Sequence, residues 1–288
     1  MRFTKLHGLG NDYIYINAIE QDLSEFDLPS LSQVLSDRNF GVGGDGIILV
    51  WPSDKADFRM QVFNSDGSEA EMCGNGMRAF AKYVYDHGLT SETELEVETG
   101  AGIIRPALTV EDGKVVLIRV DMGRPRLARG VIPVAGEPAD EPVISEPLNV
   151  EGHELKITCV SMGNPHCVVF VEDVDNFPVK VLGPALETHP LFPRKTNVEF
   201  ATVEDRSHIE MRVWERGAGV TLACGTGACA TAVAGVLNGL TDRSVRVSLL
   251  GGDLQIDWAE DDRIFKTGPA AEAFSGEVNP ELLAEARR

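Results

Sequence analysis

The chain has 288 residues, 43 % hydrophobic and 25 % charged, an ordinary globular composition with length for two cores. Its formal net charge of −19, from 45 acidic and 26 basic residues, argues against nucleic acid as a partner, because phosphate binding needs a basic face. The longest apolar runs, such as Val115–Ile118 and Gly46–Trp51, are too short to span a bilayer, and MRFTKLHGLGNDY lacks the apolar core of a secretion signal.

Alternating strands are expected at Arg2–His7 and Tyr13–Ile19, then a short helix at Ser30–Arg38 and strands at Gly46–Trp51 and Phe58–Asn64. A helix over Asn75–His87 ends at Gly88, where a left-handed residue is wanted. Strands follow at Glu94–Thr99, Gly102–Val110 and Lys114–Asp121, the last two joined by the hairpin signal Glu111-Asp112-Gly113. The proline-rich acidic stretch Ala135–Pro147 reads as an exposed loop. Beyond it lie strands at Leu155–Ser161 and Val168–Glu172, a short helix at Leu182–Thr188, and strands at Asn197–Val203 and His208–Trp214. A helix over Thr226–Asn238 and a hairpin of Val245–Leu250 with Leu254–Trp258 complete the series. The helix carrying Ala228, Ala230, Ala232, Ala234 and Gly235 lacks a polar face, so burial within a sheet is expected.

Both long helices open on the same motif, Cys73-Gly74-Asn75-Gly76 and Cys224-Gly225-Thr226-Gly227, 151 positions apart. Aligned at that offset, residues 73–90 and 224–241 share eight of eighteen positions. The repeat reaches further, since Gly10-Asn11 answers Gly163-Asn164, and Asn64 precedes its cysteine by nine residues, as Glu215 does. The expected fold is therefore α+β, with two pseudo-symmetric domains, each a curved, barrel-like mixed or antiparallel sheet around a central helix. The helix starts would meet at a cleft that holds the active site. Residues 1–125 with 268–288 form the first expected domain, around Cys73, and 126–267 the second, around Cys224.

A thiol at a helix N-terminus is stabilised as its anion by the helix dipole and unpaired amides, and a following glycine admits a ligand close to the backbone. Two such thiols facing each other suit removal of a proton from one side of a carbon and its return on the other. Cys159, Cys167 and Cys229 lack this setting and read as core. An odd count of five cysteines without a CxxC pair fits reduced thiols in a cytoplasm better than a disulfide framework.

The same glycines imitate a dinucleotide fingerprint at Gly41, Gly74 and Gly225. At Gly41 the helix precedes the strand, and at Gly74 the segment 65–72 separates strand from turn, so the pattern is weak. The helix-start amides still suit an anion, simplest a carboxylate. Arg216 can clamp a carboxylate while Glu215 binds an ammonium group, although a surface ion pair explains them equally. Asn11, Asn64, Asn164 and Asn197 each donate and accept, which suits a zwitterionic amino acid. His166 reads either as a partner of a thiol or as a satisfied core histidine. Six histidines form no metal-binding spacing, no lysine has a Schiff-base context, and GxSxG is absent.

The blocks HGLGNDY (7–13), RNFGVGGDG (38–46), FNSDGSEAEMCGNGMR (63–78), SMGNPHCVVFV (161–171), TNVEF (196–200) and WERGAGVTLACGTGACA (214–230) resemble the diaminopimelate epimerase family, as does Thr267-Gly268-Pro269-Ala270. In outline the cysteine blocks are also similar to other cofactor-free racemases, the proline racemase group among them. The resemblance implies interconversion of LL- and meso-2,6-diaminopimelate without a cofactor or metal, in lysine and cell-wall synthesis. It implies Cys73 and Cys224 as acid/base residues, with Asn11, Asn64, Asn164, Asn197, Glu215 and Arg216 binding substrate. Amides at Gly74-Asn75 and Gly225-Thr226 would hold the carboxylate beside the reacting carbon. The implied partner is a small diamino-dicarboxylate, with no nucleic acid or membrane, and the family is often dimeric, which makes a homodimer the expectation. Many members carry glutamine where this chain has Gly46.

Overall fold

The computed structural model describes residues 1–287, which divide into two compact units. One is Met1–Val120 with the chain from Gly268 onward, and the other is Asp121–Thr267. The first crossing falls at Val120, ahead of residue 125 and at the end of the strand Lys114–Asp121. Position 288 lies outside the described residues.

The first unit holds strands β1 (Arg2–Gly8) and β2 (Asn11–Asn17), helix α1 (Leu28–Ser36), strands β3 (Gly46–Trp51), β4 (Phe58–Asn64) and β5 (Glu69–Ala70), helix α2 (Gly74–Asp86), and strands β6 (Val97–Thr99), β7 (Gly102–Ile104), β8 (Ala107–Glu111) and β9 (Lys114–Asp121). The second holds β10 (Glu146–Val150), β11 (His153–Ser161), β12 (Pro165–Phe170), α3 (Val179–Glu187), β13 (Asn197–Asp205), β14 (His208–Glu215), β15 (Gly219–Val220), α4 (Gly225–Leu237), β16 (Ser244–Leu249), β17 (Gly252–Trp258) and β18 (Ile264–Gly268). The chain returns to the first unit with β19 (Ala271–Glu277) and the short helix α5 (Pro280–Leu283).

The fold is α+β, and the repeat is visible in its topology. The first sheet runs β19-β1-β2-β3-β4-β6-β7 and the second includes β10-β11-β12-β13-β14-β16-β17-β18. In each, the second and third strands of the repeat pair in parallel (β2 with β3, β12 with β13), as do the fourth and the strand after the long helix (β4 with β6, β14 with β16). Alternation along the strands then sorts residues onto two faces. Ile14, Ile16, Ile47 and Leu49 join Leu31 and Leu35 of α1 in one core, which sends Tyr13, Tyr15 and Ile48 toward α2. In the second unit Cys167, Val169, Val198 and Phe200 join Leu182 and Leu186 of α3, leaving His166, Asn197 and Glu199 on the α4 side. Helix α4 touches six strands, and ten of its thirteen residues are buried, as its lack of a polar face demands.

Several expected boundaries moved by two or three residues, among them the strands expected at 13–19, 94–99 and 168–172 and the helix expected at 182–188, and three differences have local reasons. Helix α1 starts before Ser30, because Asp27 caps it by accepting from Ser30 N at 3.1 Å and Pro29 is tolerated in a first turn. The expected strand 102–110 breaks at Arg105-Pro106, where proline supplies no N–H to a ladder. The acidic stretch 135–147 ends in strand β10, whose Pro147 sits on the edge strand of its sheet opposite Lys156.

Candidate functional site

Each unit presents one thiol at the start of its long helix. Cys73 is the N-cap of α2 (φ −130°, ψ 113°) and its sulfur accepts from Gly76 N at 3.3 Å. Cys224 is the N-cap of α4 with nearly the same backbone (φ −120°, ψ 107°). The glycine three residues past each cysteine is required by close approach. A Cβ at Gly76 would lie 2.6 Å from Ile48 Cδ1 and 3.3 Å from Cys73 Sγ, and one at Gly227 would lie 2.6 Å from Glu199 Oε1 and 3.3 Å from Cys224 Sγ. Amides in the first turn of each helix, at Gly74-Asn75 and Gly225-Thr226, have no partner within the helix and carry its positive pole.

Around Cys73, which is partly exposed, the thiol donates to Asn11 Oδ1 at 3.4 Å. Asn11 is held in that orientation because its Nδ2 donates to Asp45 at 2.6 Å, and Arg38 ties Asp45 (3.0 Å) to Asp12 (2.7 Å). Tyr13, in parallel register beside Gly46, is buried, and burial first, then Cys73 and Asp45, push its phenol above the ordinary range. Asn64 donates to Ser68 Oγ at 3.0 Å, and Asn75 Oδ1 accepts from Arg78 at 3.0 Å.

Around Cys224, which is buried, the neighbours differ. Thr226 Oγ1 lies 3.6 Å from the sulfur and accepts from Asn164 Nδ2 at 3.3 Å, which leaves its own proton free to point at Sγ. Asn164 Oδ1 bonds His166 Nε2 at 3.0 Å, so that ring nitrogen carries hydrogen, and His166 Nδ1 bonds Glu199 Oε1 at 2.6 Å. His166 and Glu199 are both fully buried, and Glu199 Oε2 has no hydrogen-bond partner. Burial raises the Glu199 carboxyl against the lowering effect of His166. Burial first, then the Glu215 and Glu199 carboxylates, push the Cys224 thiol well above its ordinary range.

Asn197 is nearly buried, and both polar ends are committed to the protein. Its Nδ2 donates to Pro165 O at 2.9 Å and its Oδ1 accepts from Arg216 N at 2.9 Å. Glu215 accepts from Thr221 Oγ1, and Arg216 Nη1 donates to Arg194 O at 3.2 Å. Glu187 holds the same loop, accepting from Trp214 Nε1 at 2.8 Å and Gly217 N at 3.2 Å. Four of these partners, Tyr13, Asp45, Glu187 and Glu199, are absent from the sequence-derived candidates. Tyr13 and Glu199 carried a signal: Tyr13 stands two residues past Asn11 as His166 stands two past Asn164, and Glu199 stands two past Asn197. No group of three or more potential metal ligands occurs among the described residues.

Solved structures share this fold of two units. A phenazine biosynthesis protein of the PhzF family from Bacillus anthracis aligns with a TM-score of 0.70 at 18 % identity, covering 97 % of this chain and 99 % of that one. A probable proline racemase from Agrobacterium radiobacter K84 aligns with a TM-score of 0.69 at 13 % identity, covering 99 % and 95 %. The sequence narrows the class. The family model for diaminopimelate epimerase matches residues 3–128 and 158–272, and the diaminopimelate epimerase of Moorella thermoacetica is 56 % identical over 278 residues, 96 % of this chain and 99 % of that protein. The chain belongs to the diaminopimelate epimerase family.

Proposed function

We propose that this protein is an isomerase that interconverts LL- and meso-2,6-diaminopimelate, without a cofactor, by two-base proton transfer at one α-carbon. The observation that carries the reading is the pair of helix-capping cysteines, Cys73 and Cys224, on matched strand and helix scaffolds in a member of this family. One cysteine begins a turnover as thiolate and the other as thiol, since two anions in one small site repel. The thiolate takes the α-proton and becomes a thiol; the electron pair left on carbon is stabilised through the adjacent carboxylate by the helix-start amides. The opposite thiol then delivers its proton to the other face and becomes the thiolate. The opposite reaction uses the cysteines in reversed roles.

Gly74, Asn75, Gly225 and Thr226 serve that carboxylate in this reading. Asn11, Asn64, Asn164, Glu215 and Arg216 bind the rest of the substrate, while Asn197 holds the Arg216 backbone in place. His166 supports the Cys224 side through Asn164 and Thr226. No helix among the described residues is long and apolar enough to cross a membrane, which fits a cytoplasmic enzyme feeding lysine and peptidoglycan precursor synthesis. A homodimer that binds neither nucleic acid nor membrane completes the proposal.

The test is incorporation of deuterium from heavy water into the α-position of LL-diaminopimelate. The wild type exchanges and epimerises it, and Cys73→Ser and Cys224→Ser each lose about 10²-fold or more of the rate, the scale of a missing general acid or base. Exchange into proline in place of diaminopimelate would assign the chain a proline racemase activity instead. Serine variants with full activity would end the two-cysteine scheme.

A further inference from the structure

Glu187 is the last residue of α3 and is 6 % exposed. Burial opposes its charge, and a carboxylate in the last turn of a helix faces the negative end of the dipole. A side chain placed against both rules is held there by the donors it meets. Its Oε2 accepts the Trp214 indole N–H at 2.8 Å, and its Oε1 accepts the Gly217 amide at 3.2 Å, with Lys195 Nζ 3.4 Å away. Burial raises this carboxyl, but the hydrogen bonds from Trp214, Lys195 and Gly217 outweigh it and leave Glu187 below the ordinary carboxylate range. The indole reaches the carboxylate because Gly183, one turn earlier on the same face of α3, has no side chain. A Cβ there would lie 2.6 Å from Trp214 Cγ.

The two residues bridged by this carboxylate stand on either side of Glu215 and Arg216. Strand β14 ends at Glu215, the Ala218 amide donates back to Glu215 O at 3.0 Å, and Gly217 takes φ +79° in the turn between them. A positive φ at the third position marks a type II turn, which differs from type I by a flip of the peptide joining the two central residues, here Arg216 and Gly217. The Gly217 amide belongs to that peptide, so its bond to Glu187 selects the orientation. The amide on the other side of Arg216 is secured by Asn197 Oδ1 at 2.9 Å. We propose that Glu187 is a positioning residue for substrate binding: by joining Trp214 to Gly217 it fixes the turn that presents Glu215 and Arg216 to the diamino-dicarboxylate. The inference rests on the reading above, in which those two side chains bind substrate. The contacts of Glu215 with Thr221 and of Arg216 with Arg194 O are made by the presented side chains themselves, outside the bridge.

The test is Glu187→Gln, which keeps one acceptor oxygen and turns the other into a donor, so one of the two N–H groups loses its partner. KM for LL-diaminopimelate should rise about tenfold while kcat stays within about twofold of the parent, the split left by lost binding that ground and transition states share. Hydrogen exchange at the Trp214 indole and the Gly217 amide, read by NMR, should quicken about tenfold at one of the two. Val179→Ala loosens the same helix at its other end, inside the core. It should lower stability and leave KM and both exchange rates within about twofold of the parent. Unchanged exchange at both sites in Glu187→Gln, an unchanged KM, or an equal rise of KM in Val179→Ala would overturn the proposal. Hydrogen exchange needs no substrate, so a parent protein that leaves diaminopimelate untouched would refute the functional reading, while the exchange rates still showed whether Glu187 holds the turn.

Discussion

The two thiol seats share a scaffold and differ in chemistry. Strands β2 and β3 with α2 repeat β12 and β13 with α4, down to the parallel pairing and the N-cap geometry of the cysteine. On the face toward the helix, however, Tyr13, Gly46 and Ile48 stand where the second unit has His166, Asn197 and Glu199. The first seat is half open and takes its charge from Asp45 and Arg38 behind Asn11. The second is buried, with His166 and Glu199 hydrogen-bonded to each other beneath the thiol's helix. A duplicated backbone thus holds two thiols in one geometry while the side chains around them differ, and those around Cys224 disfavour its thiolate.

The largest test of that difference is Glu199→Ala. It strips His166 of its 2.6 Å partner inside a fully buried site, so unfolding in urea should show a loss of about 3–5 kcal/mol. Importing the first seat, His166→Tyr with Glu199→Ile, should recover a good part of that loss, because apolar replacement of a buried pair is often near neutral. No recovery would mean that the two seats are not interchangeable scaffolds.

The matched glycines sharpen the comparison. In Gly76→Ala the new Cβ meets the far end of the Ile48 side chain, which can rotate away, and the gain in helix propensity offsets part of the cost. In Gly227→Ala it meets Glu199 Oε1, which His166 holds. The second variant should lose about 2–3 kcal/mol and the first about 1 or less, by urea denaturation of each.

Alkylation of the wild type at pH 7.5 should modify Cys73 about tenfold faster than Cys224, as read by peptide mass spectrometry. The reverse order would show that burial does not decide which thiol reacts first. The smallest effect concerns stability against pH. The Cys224 thiol is raised in the folded state, so above the ordinary thiol value of 9.0 the unfolded chain ionises first and stability falls as pH rises toward the folded value. Cys224→Ser removes that titration, and its stability should decline less between pH 8.5 and 10.5, by about 1 kcal/mol.

Much of this architecture was legible from residues alone. The Cys-Gly-x-Gly repeat, the small-residue helix and the terminal glycines located α2 and α4 within a residue at each end, because caps and helix periodicity are local properties. Strand β10 was not legible, since its Pro147 argues against a ladder and only its place at a sheet edge makes it harmless. The full breadth of the repeat is also hidden from the sequence. Tyr13 and His166 differ in residue type, so identity scoring passes over them, and only strand register shows that they occupy one position.

By itself the sequence determined the duplication, the two capping thiols and the family, because motif spacing and helix signals act over a few residues. Tertiary structure decided which groups surround each sulfur. Asp45 orients Asn11 from the bend before β3, Gly46 makes room for Tyr13, and Glu199 reaches His166 and the glycine behind Cys224 across a parallel strand pair. Such contacts depend on register and burial. Burial sets the energetic cost of a charge, and it is a property of the packed chain that no local stretch of sequence carries.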